Sequence, residues 1–169
     1  MRGDRELRRF RAEGLVANAA ARVYQLIERI ELYSLWVPHL IDSYALTEGP
    51  LHTGSRLVFH LAILKVRLRL EAVVTRVDKD SLIAFRSVAG PSLSGQWQLS
   101  PEGASTRVAL SMEFRLPGGP IGVATRFVDV EAILAEGAAR ALAGFRNLAE
   151  RSEVPAAPDG RPSNRPGYE

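Results

Sequence analysis

The chain has 169 residues, 46% of them hydrophobic and 24% charged, which is typical of one soluble globular domain. It has no cysteine, which excludes disulfides, thiolate metal sites and cysteine nucleophiles. No stretch approaches the ~20 apolar residues of a membrane-spanning helix, and the N-terminal residues lack the apolar core of a secretory signal, so we expect a cytoplasmic protein.

The first predicted element is a strand from Leu7 to Val16, which overlaps a basic cluster. The formal net charge is +3, and the cluster contains Arg2, Arg5, Arg8, Arg9 and Arg11. Such a cluster can approach phosphate groups, or it can simply keep the end of a strand solvated.

Two short helices are predicted next. Apolar residues after Asn18 recur at intervals of three and four as far as Ile30, which indicates a helix capped by the Asn18 side chain. A second short helix within residues 31–40 should end before Pro38, because the residue that precedes a proline disfavours helical backbone.

Residues 41–116 alternate between apolar and polar side chains. Turn signals interrupt the alternation at Gly49-Pro50, Asp78-Lys79-Asp80, Gly90-Pro91 and Pro101-Glu102-Gly103. This pattern predicts about six antiparallel strands with one apolar face toward a common interior and one face toward solvent.

A long helix is predicted from Pro120 to about Glu150, because apolar residues recur there at helical intervals. Its middle is rich in small residues, and Gly137 and Gly144 each cost about 0.5–1 kcal/mol relative to alanine. Either close packing or room for another molecule should offset that cost. Residues 153–169 are rich in proline and glycine and are predicted to form a disordered tail, which leaves residues 1–152 as one domain.

Three segments, in this order of elements, resemble the START-like (SRPBCC) superfamily. The segments are AARVYQLIERIELYSLWVPHL from Ala20 to Leu40, Gly54-Ser55 at the opening of a strand, and LSGQWQL from Leu93 to Leu99 followed by Thr106-Arg107-Val108. The resemblance is to the polyketide cyclase, coenzyme Q-binding and ribosome-association toxin type. Two positions depart from that pattern, since Arg29 stands where an acidic residue is frequent and Ser34 where a proline is frequent.

The resemblance implies an α+β helix-grip fold. In this fold a curved antiparallel sheet of six to seven strands surrounds a long C-terminal helix, two short helices follow strand 1, and an apolar cavity lies between the sheet and the long helix. The function implied is the binding of a hydrophobic small molecule such as a lipid, an isoprenoid or quinone, or a polyketide.

The side chains predicted to line this cavity are large apolar residues of the inward face. They are Trp36, Phe59, Leu61, Leu70, Phe85, Trp97, Leu110, Met112, Phe127, Val130 and Leu134. Periodicity alone indicates a close-packed core, whereas the resemblance favours a cavity.

Two alternative functions stay open at this point. The first is a polyketide aromatase or cyclase, for which Tyr24, Tyr33 and Ser87 are the best inward polar groups. The sequence has no nucleophile motif, phosphate-binding loop or paired carboxylates, so binding without catalysis is favoured and no catalytic residue is assigned. The second is a toxin-like protein that contacts the ribosome or RNA through the N-terminal arginines, although no aromatic residues are interleaved with them to stack on bases.

No metal site or cofactor is predicted. His39, His52 and His60 are 13 and 8 residues apart, which does not place two of them on one helical face. His39 follows Trp36 at a predicted turn, where it lies either at the mouth of the cavity or on the surface. The sequence does not specify the ligand or the oligomeric state.

Overall fold

The computed structural model describes residues 7–63, 65–115 and 130–151. Their elements, in chain order, are β1 (Leu7–Val16), α1 (Ala20–Glu28), a 3₁₀ helix (Ile30–Leu35), β2 (Leu40–Ala45), β3 (Arg56–Ile63), β4 (Val66–Asp78), β5 (Leu82–Ala89), β6 (Leu93–Glu102), β7 (Ser105–Arg115) and α2 (Val130–Ala149).

The seven strands form one antiparallel sheet in the order β1-β7-β6-β5-β4-β3-β2. The chain therefore runs from one edge of the sheet to the other through α1 and the 3₁₀ helix, and then returns strand by strand. The sheet curls, and α2 packs beside β1. This arrangement confirms the predicted α+β helix-grip fold.

The bounds of several predicted elements agree with the structure. β1 begins and ends where the alternation predicted, and the second helical segment, which is a 3₁₀ helix, ends at Leu35 before Pro38. The long C-terminal helix ends at Ala149, close to the predicted Glu150. Its predicted first residues from Pro120, and the predicted tail of residues 153–169, lie outside the described residues.

The predicted cap of α1 is wrong. The N-cap residue is Ala19, and no side chain caps the helix. The Asn18 side chain instead donates from Nδ2 to the carbonyl oxygen of Ala149 at 2.9 Å, and the Ala17 N–H donates to a carboxylate oxygen of Glu150, also at 2.9 Å. These two hydrogen bonds fix the C-terminal end of α2 beside the start of α1.

The core lies between the concave face of the sheet and the helices. Residues of α1 such as Val23 and Ile27 pack there with Leu99 of β6 and Val108 of β7. On α2, the buried residues recur at intervals of three and four, and Phe145 among them is fully buried. Within the described part of the chain, no helix combines the length and the apolar character that crossing a membrane requires.

Candidate functional site

The concave face of the sheet is covered at one end and partly accessible at the other. Inward side chains at the covered end, such as Val74 and Val108, are 1% and 0% exposed. Further along the same face, large apolar side chains are only half-buried. We call five of them the apolar wall: Phe59, Leu61, Phe85, Leu110 and Met112.

Strand register places the members of the apolar wall on one face. Leu110 pairs with Trp97, Met112 pairs with Gly95, and Gly95 also pairs with Phe85. A β-carbon at Gly95 would lie 2.9 Å from Phe85 Cζ and 3.0 Å from Met112 Cγ. The absence of a side chain at Gly95 therefore allows the side chains of Phe85 and Met112 to approach each other over β6.

Four aromatic residues stand where the covered end meets the apolar wall, and we call them the aromatic cluster: Tyr33, Trp36, Trp97 and Phe145. The Trp36 ring centroid lies 4.6 Å from that of Tyr33, 5.1 Å from that of Phe145 and 5.8 Å from that of Trp97. Tyr33 also approaches Phe59 of the apolar wall, at 6.1 Å between ring centroids. The cluster thus forms a rigid aromatic border to the accessible apolar surface.

The polar atoms of the aromatic cluster differ in whether they have hydrogen-bond partners. The Tyr33 hydroxyl donates to the carbonyl oxygen of Ile27 at 2.6 Å. Burial raises the pKa of Tyr33 well above its usual range, which keeps the hydroxyl protonated. The indole Nε1 of Trp36 is also shielded from solvent, but no residue of the described chain accepts its hydrogen.

The two glycines of α2 have different surroundings. A β-carbon at Gly144 would lie 3.1 Å from Trp36 Cβ and 3.3 Å from the Trp36 carbonyl oxygen, whereas a β-carbon at Gly137 would meet no atom of the described residues within 4 Å. Close packing therefore explains Gly144, and Gly137 faces open space. Between α2 and β1 there is an open groove of about 630 Å³, which is lined by alanines of the helix and also by charged residues such as Arg11, Glu13 and Arg146.

The structure brings most of the predicted lining residues to one face. Trp36, Leu70 and Trp97 are buried, and the five residues of the apolar wall are half-buried. Leu134 is half-buried on α2, on the helical face that also carries Phe145. Phe127 and the side chain of Val130 lie outside the described residues. That these residues contact a ligand stays a prediction.

The three hydroxyl groups predicted as the best inward polar groups either have a raised pKa or form a hydrogen bond within the protein. Burial, with Glu28, Asp80 and Asp78 nearby, raises the pKa of Tyr24 to about 12. The Ser87 hydroxyl oxygen accepts a hydrogen bond from the Leu93 N–H at 2.9 Å, and the Tyr33 hydroxyl donates to the Ile27 carbonyl oxygen as described above. These bonds give Ser87 and Tyr33 structural roles.

Sequence reasoning missed Arg8 as an inward residue. Arg8 pairs with Phe114 and has the same parity along β1 as Phe10 and the buried Val16, so its half-buried side chain belongs to the concave face. The rings of Phe10 and Phe114 lie 6.2 Å apart. The alternation of β1 predicts an inward Arg8, but Arg8 was interpreted as part of the solvated basic cluster.

Each of the three histidines has different surroundings. His60 contacts Asp42 Oδ1 from Nδ1 at 2.5 Å, His52 contacts the Ser55 hydroxyl, and His39 is exposed at a turn. Among the described residues, no group of three or more histidine, aspartate or glutamate side chains could hold a metal ion.

Arginines on the convex face are engaged by carboxylates. Arg9 contacts Glu113 at 2.7 Å, and Arg107 contacts Glu102 at 2.6 Å. Similar ion pairs join Arg11 to Glu13, Arg56 and Arg69 to Glu71, and Arg76 to Asp78. These pairs offset much of the positive charge that would otherwise attract phosphate groups.

A model of one protein family, described as polyketide cyclase / dehydrase and lipid transport, matches residues 16–136. No curated protein matches the sequence. Among solved structures, the chain is similar to the Zhui aromatase/cyclase from Streptomyces sp. R1128, with 20% identity, a TM-score of 0.71, and coverage of 86% of this chain and 95% of that one.

Two further solved structures share the fold. The protein TTHA0849 from Thermus thermophilus is 21% identical with a TM-score of 0.70, over 83% of this chain and 95% of that one. A START superfamily protein from Mycobacterium smegmatis is 17% identical with a TM-score of 0.63, over 82% and 97%. At these identities the three structures show the fold alone.

Proposed function

Because the chain belongs to the polyketide cyclase / dehydrase and lipid transport family, we propose that it binds a hydrophobic small molecule between its sheet and its C-terminal helix. The ligand would be a lipid, an isoprenoid or quinone, or a polyketide. The predicted lining residues, above all the apolar wall, would hold it.

The observation that carries this proposal is the half-burial of the apolar wall. Close-packed interiors leave few large apolar side chains partly accessible on an inward face. Here five such side chains share the concave face, and Phe59, Phe85 and Leu110 pack against the buried core that includes Trp36 and Trp97. Covering them with a ligand would contribute about 25 cal/mol for each Å² of apolar surface removed from water.

Binding without catalysis is the function that these groups support best. A cyclase needs an acid or base that faces the substrate, and the Ser87 and Tyr33 hydroxyls hold internal hydrogen bonds. Contact with the ribosome or RNA has no comparable support, because the strand arginines Arg9 and Arg11 contact carboxylates. A cytoplasmic location stays a prediction from the sequence.

Native mass spectrometry of the purified protein, before and after solvent extraction, tests the proposal. We expect a stoichiometric hydrophobic adduct, or uptake of one molecule when lipids, quinones and aromatic polyketides are offered. A protein that carries no adduct and takes up none of these molecules would contradict the proposal.

A pair of variants on β7 locates the site. Met112→Trp adds bulk on the concave face and should weaken binding by roughly tenfold or more, which corresponds to about 1.4 kcal/mol. Ser111→Trp adds the same bulk to the adjacent residue, whose side chain lies on the convex face. It should leave the affinity within about twofold. Equal losses in both variants, with both still folded by circular dichroism, would place the ligand elsewhere.

A further inference from the structure

Each of the seven strands has one end on the accessible side of the concave face, and we call this side of the sheet the open end. There β1, β2, β4 and β6 begin, and β3, β5 and β7 end. Two residues of the apolar wall lie near these strand ends, since Leu61 pairs with Leu40 and Met112 pairs with Phe10. A ligand held by the apolar wall would therefore enter and leave at the open end.

Charge distinguishes the open end from the opposite end of the sheet. We compared the turns that join the strands and the positions within two residues of a strand end. In the described part of the open end, these positions carry Arg8, Arg9, Lys65, Arg67 and Arg115 against Asp42 and Glu113. At the opposite end, they carry Arg56, Arg76, Lys79 and Arg107 against Glu48, Asp78, Asp80 and Glu102. The open end is therefore the positive end of the sheet, and the opposite end is balanced.

Two basic side chains of the open end are exposed and lack an ion pair. Within the described ranges, no carboxylate forms an ion pair with Lys65 or Arg115. The two carboxylates of the open end contact other basic side chains, namely Arg9 and His60. The positive charge of Lys65 and Arg115 is thus available to an anionic partner.

Exposed aliphatic side chains lie among these charges. Leu7, Ile41 and Val88 are 39%, 43% and 40% exposed, and Leu7 pairs with Arg115 across β1 and β7. Aliphatic side chains beside basic ones favour the surface of an anionic bilayer, where the former enter the headgroup layer and the latter meet lipid phosphates. Single-stranded nucleic acid instead favours aromatic side chains on which bases stack, and none of these three residues is aromatic.

We propose that the open end is a docking surface for an anionic lipid bilayer. The inference goes beyond the proposed function, because it assigns a partner to a surface outside the cavity. Lys65 and Arg115 contact lipid phosphates. Leu7, Ile41 and Val88 enter the headgroup layer. In this orientation the apolar wall faces the membrane, so a hydrophobic ligand passes between bilayer and protein without crossing water.

Sedimentation with lipid vesicles measures the docking. We expect binding to vesicles of phosphatidylcholine and phosphatidylglycerol to be about tenfold or more tighter than binding to phosphatidylcholine alone. Lys65→Gln should weaken binding to the anionic vesicles about fivefold, which is the contribution of one basic side chain near such a surface. Lys79→Gln makes the same change at the other end of β4, about 40 Å away, and should leave binding within about twofold. Equal losses in the two variants would overturn the inference.

A second pair of variants tests the apolar contacts. Ile41 lies near the start of β2, and Leu46 follows the end of the same strand and is 53% exposed. Ile41→Ser should weaken vesicle binding about threefold or more, whereas Leu46→Ser should leave it within about twofold. Thermal unfolding checks that both variants fold, and Val88→Ser replaces Ile41→Ser if the latter does not. Losses that are equal at the two ends would contradict a bilayer at the open end.

The two lysines also report the orientation of the docked protein, because they are the only lysines in the chain. Acetylation by acetic anhydride, followed by mass spectrometry, gives the labelling rate of each lysine. On anionic vesicles, labelling of Lys65 should slow about fivefold, and labelling of Lys79 should not change. Equal protection of both lysines, or protection of Lys79 alone, would overturn the inference.

The remaining outcomes separate the docking from other partners and from the proposed function. If poly(U) RNA binds as tightly as the anionic vesicles and protects Lys65 equally, the surface belongs to nucleic acid and the inference is wrong. If the vesicles do not bind although native mass spectrometry finds a hydrophobic adduct, the docking is wrong and the proposed function stands. Vesicle binding that protects Lys65, in a protein that takes up no hydrophobic molecule, would support the docking and contradict the proposed function.

Discussion

At the residue scale, the carboxyl group of Glu28 lies where its charge is disfavoured. Partial burial raises the pKa of Glu28 above its usual value of 4.5, and the nearby Asp80 carboxylate raises it further. A hydrogen bond from the Leu51 backbone N–H and the charge of Lys79 oppose this shift. The folded state therefore binds the Glu28 proton more tightly than the unfolded state does.

A raised pKa in the folded state makes stability fall as the pH rises through that pKa. Glu28→Gln should therefore increase the free energy of unfolding at about pH 7, by less than about 1 kcal/mol because solvent screens the partly exposed carboxyl group. The gain should vanish below the ordinary pKa, where both states carry the proton. Urea unfolding across this pH range measures the effect. Glu48→Gln, at an exposed position between β2 and β3, is the control. A gain that persists at low pH would contradict the electrostatic explanation.

Single residues also show where reasoning from sequence reaches its limit. The alternation of β1 contained enough information to place Arg8 on the inward face, because Arg8 has the parity of Val16. The role of Asn18 could not be read from its neighbours, since its partner Ala149 is 131 residues away along the chain. That no described residue accepts the Trp36 indole hydrogen is likewise a property of the packed structure and not of the sequence around it.

At the scale of elements, the alternating and helical periods predicted the strands and the end of α2, because burial of one face imposes those periods. They did not distinguish the 3₁₀ geometry of Ile30–Leu35 from an α-helix. The sequence also predicted that either close packing or open space offsets the helical cost of the two glycines of α2, but it did not decide between the two. The structure assigns close packing to Gly144 and open space to Gly137.

This difference between the two glycines predicts opposite effects of one substitution. Gly137→Ala should stabilise the protein by about 0.5–1 kcal/mol, because alanine favours the helix and its methyl group meets none of the described residues. Gly144→Ala should destabilise it by about 1–3 kcal/mol, since the added methyl group presses on the backbone of Trp36. Thermal unfolding followed by circular dichroism compares them. Stabilisation by both substitutions would show that α2 does not pack closely on Trp36.

At the scale of the whole molecule, the proposed ligand binding would be coupled to unfolding. The apolar wall spans β3, β5 and β7, and the border residues Trp36 and Phe145 belong to the connection after α1 and to α2. A molecule held by all of these elements binds only when they are assembled. It therefore stabilises the folded state by mass action.

Saturation with a rigid hydrophobic probe, the aromatic ketone fluorenone, at about 100 times its Kd should raise the free energy of unfolding by about 2.7 kcal/mol. For a chain of this length, that corresponds to an increase in Tm of about 5–10 °C. Scanning calorimetry at increasing fluorenone concentrations measures the rise, which should continue with the logarithm of the concentration. Met112→Trp, in which the added indole occupies the concave face, should show little or no rise. A Tm that does not change in the natural protein, although titration shows binding, would mean that the probe binds the unfolded chain equally well and that no assembled cavity holds it.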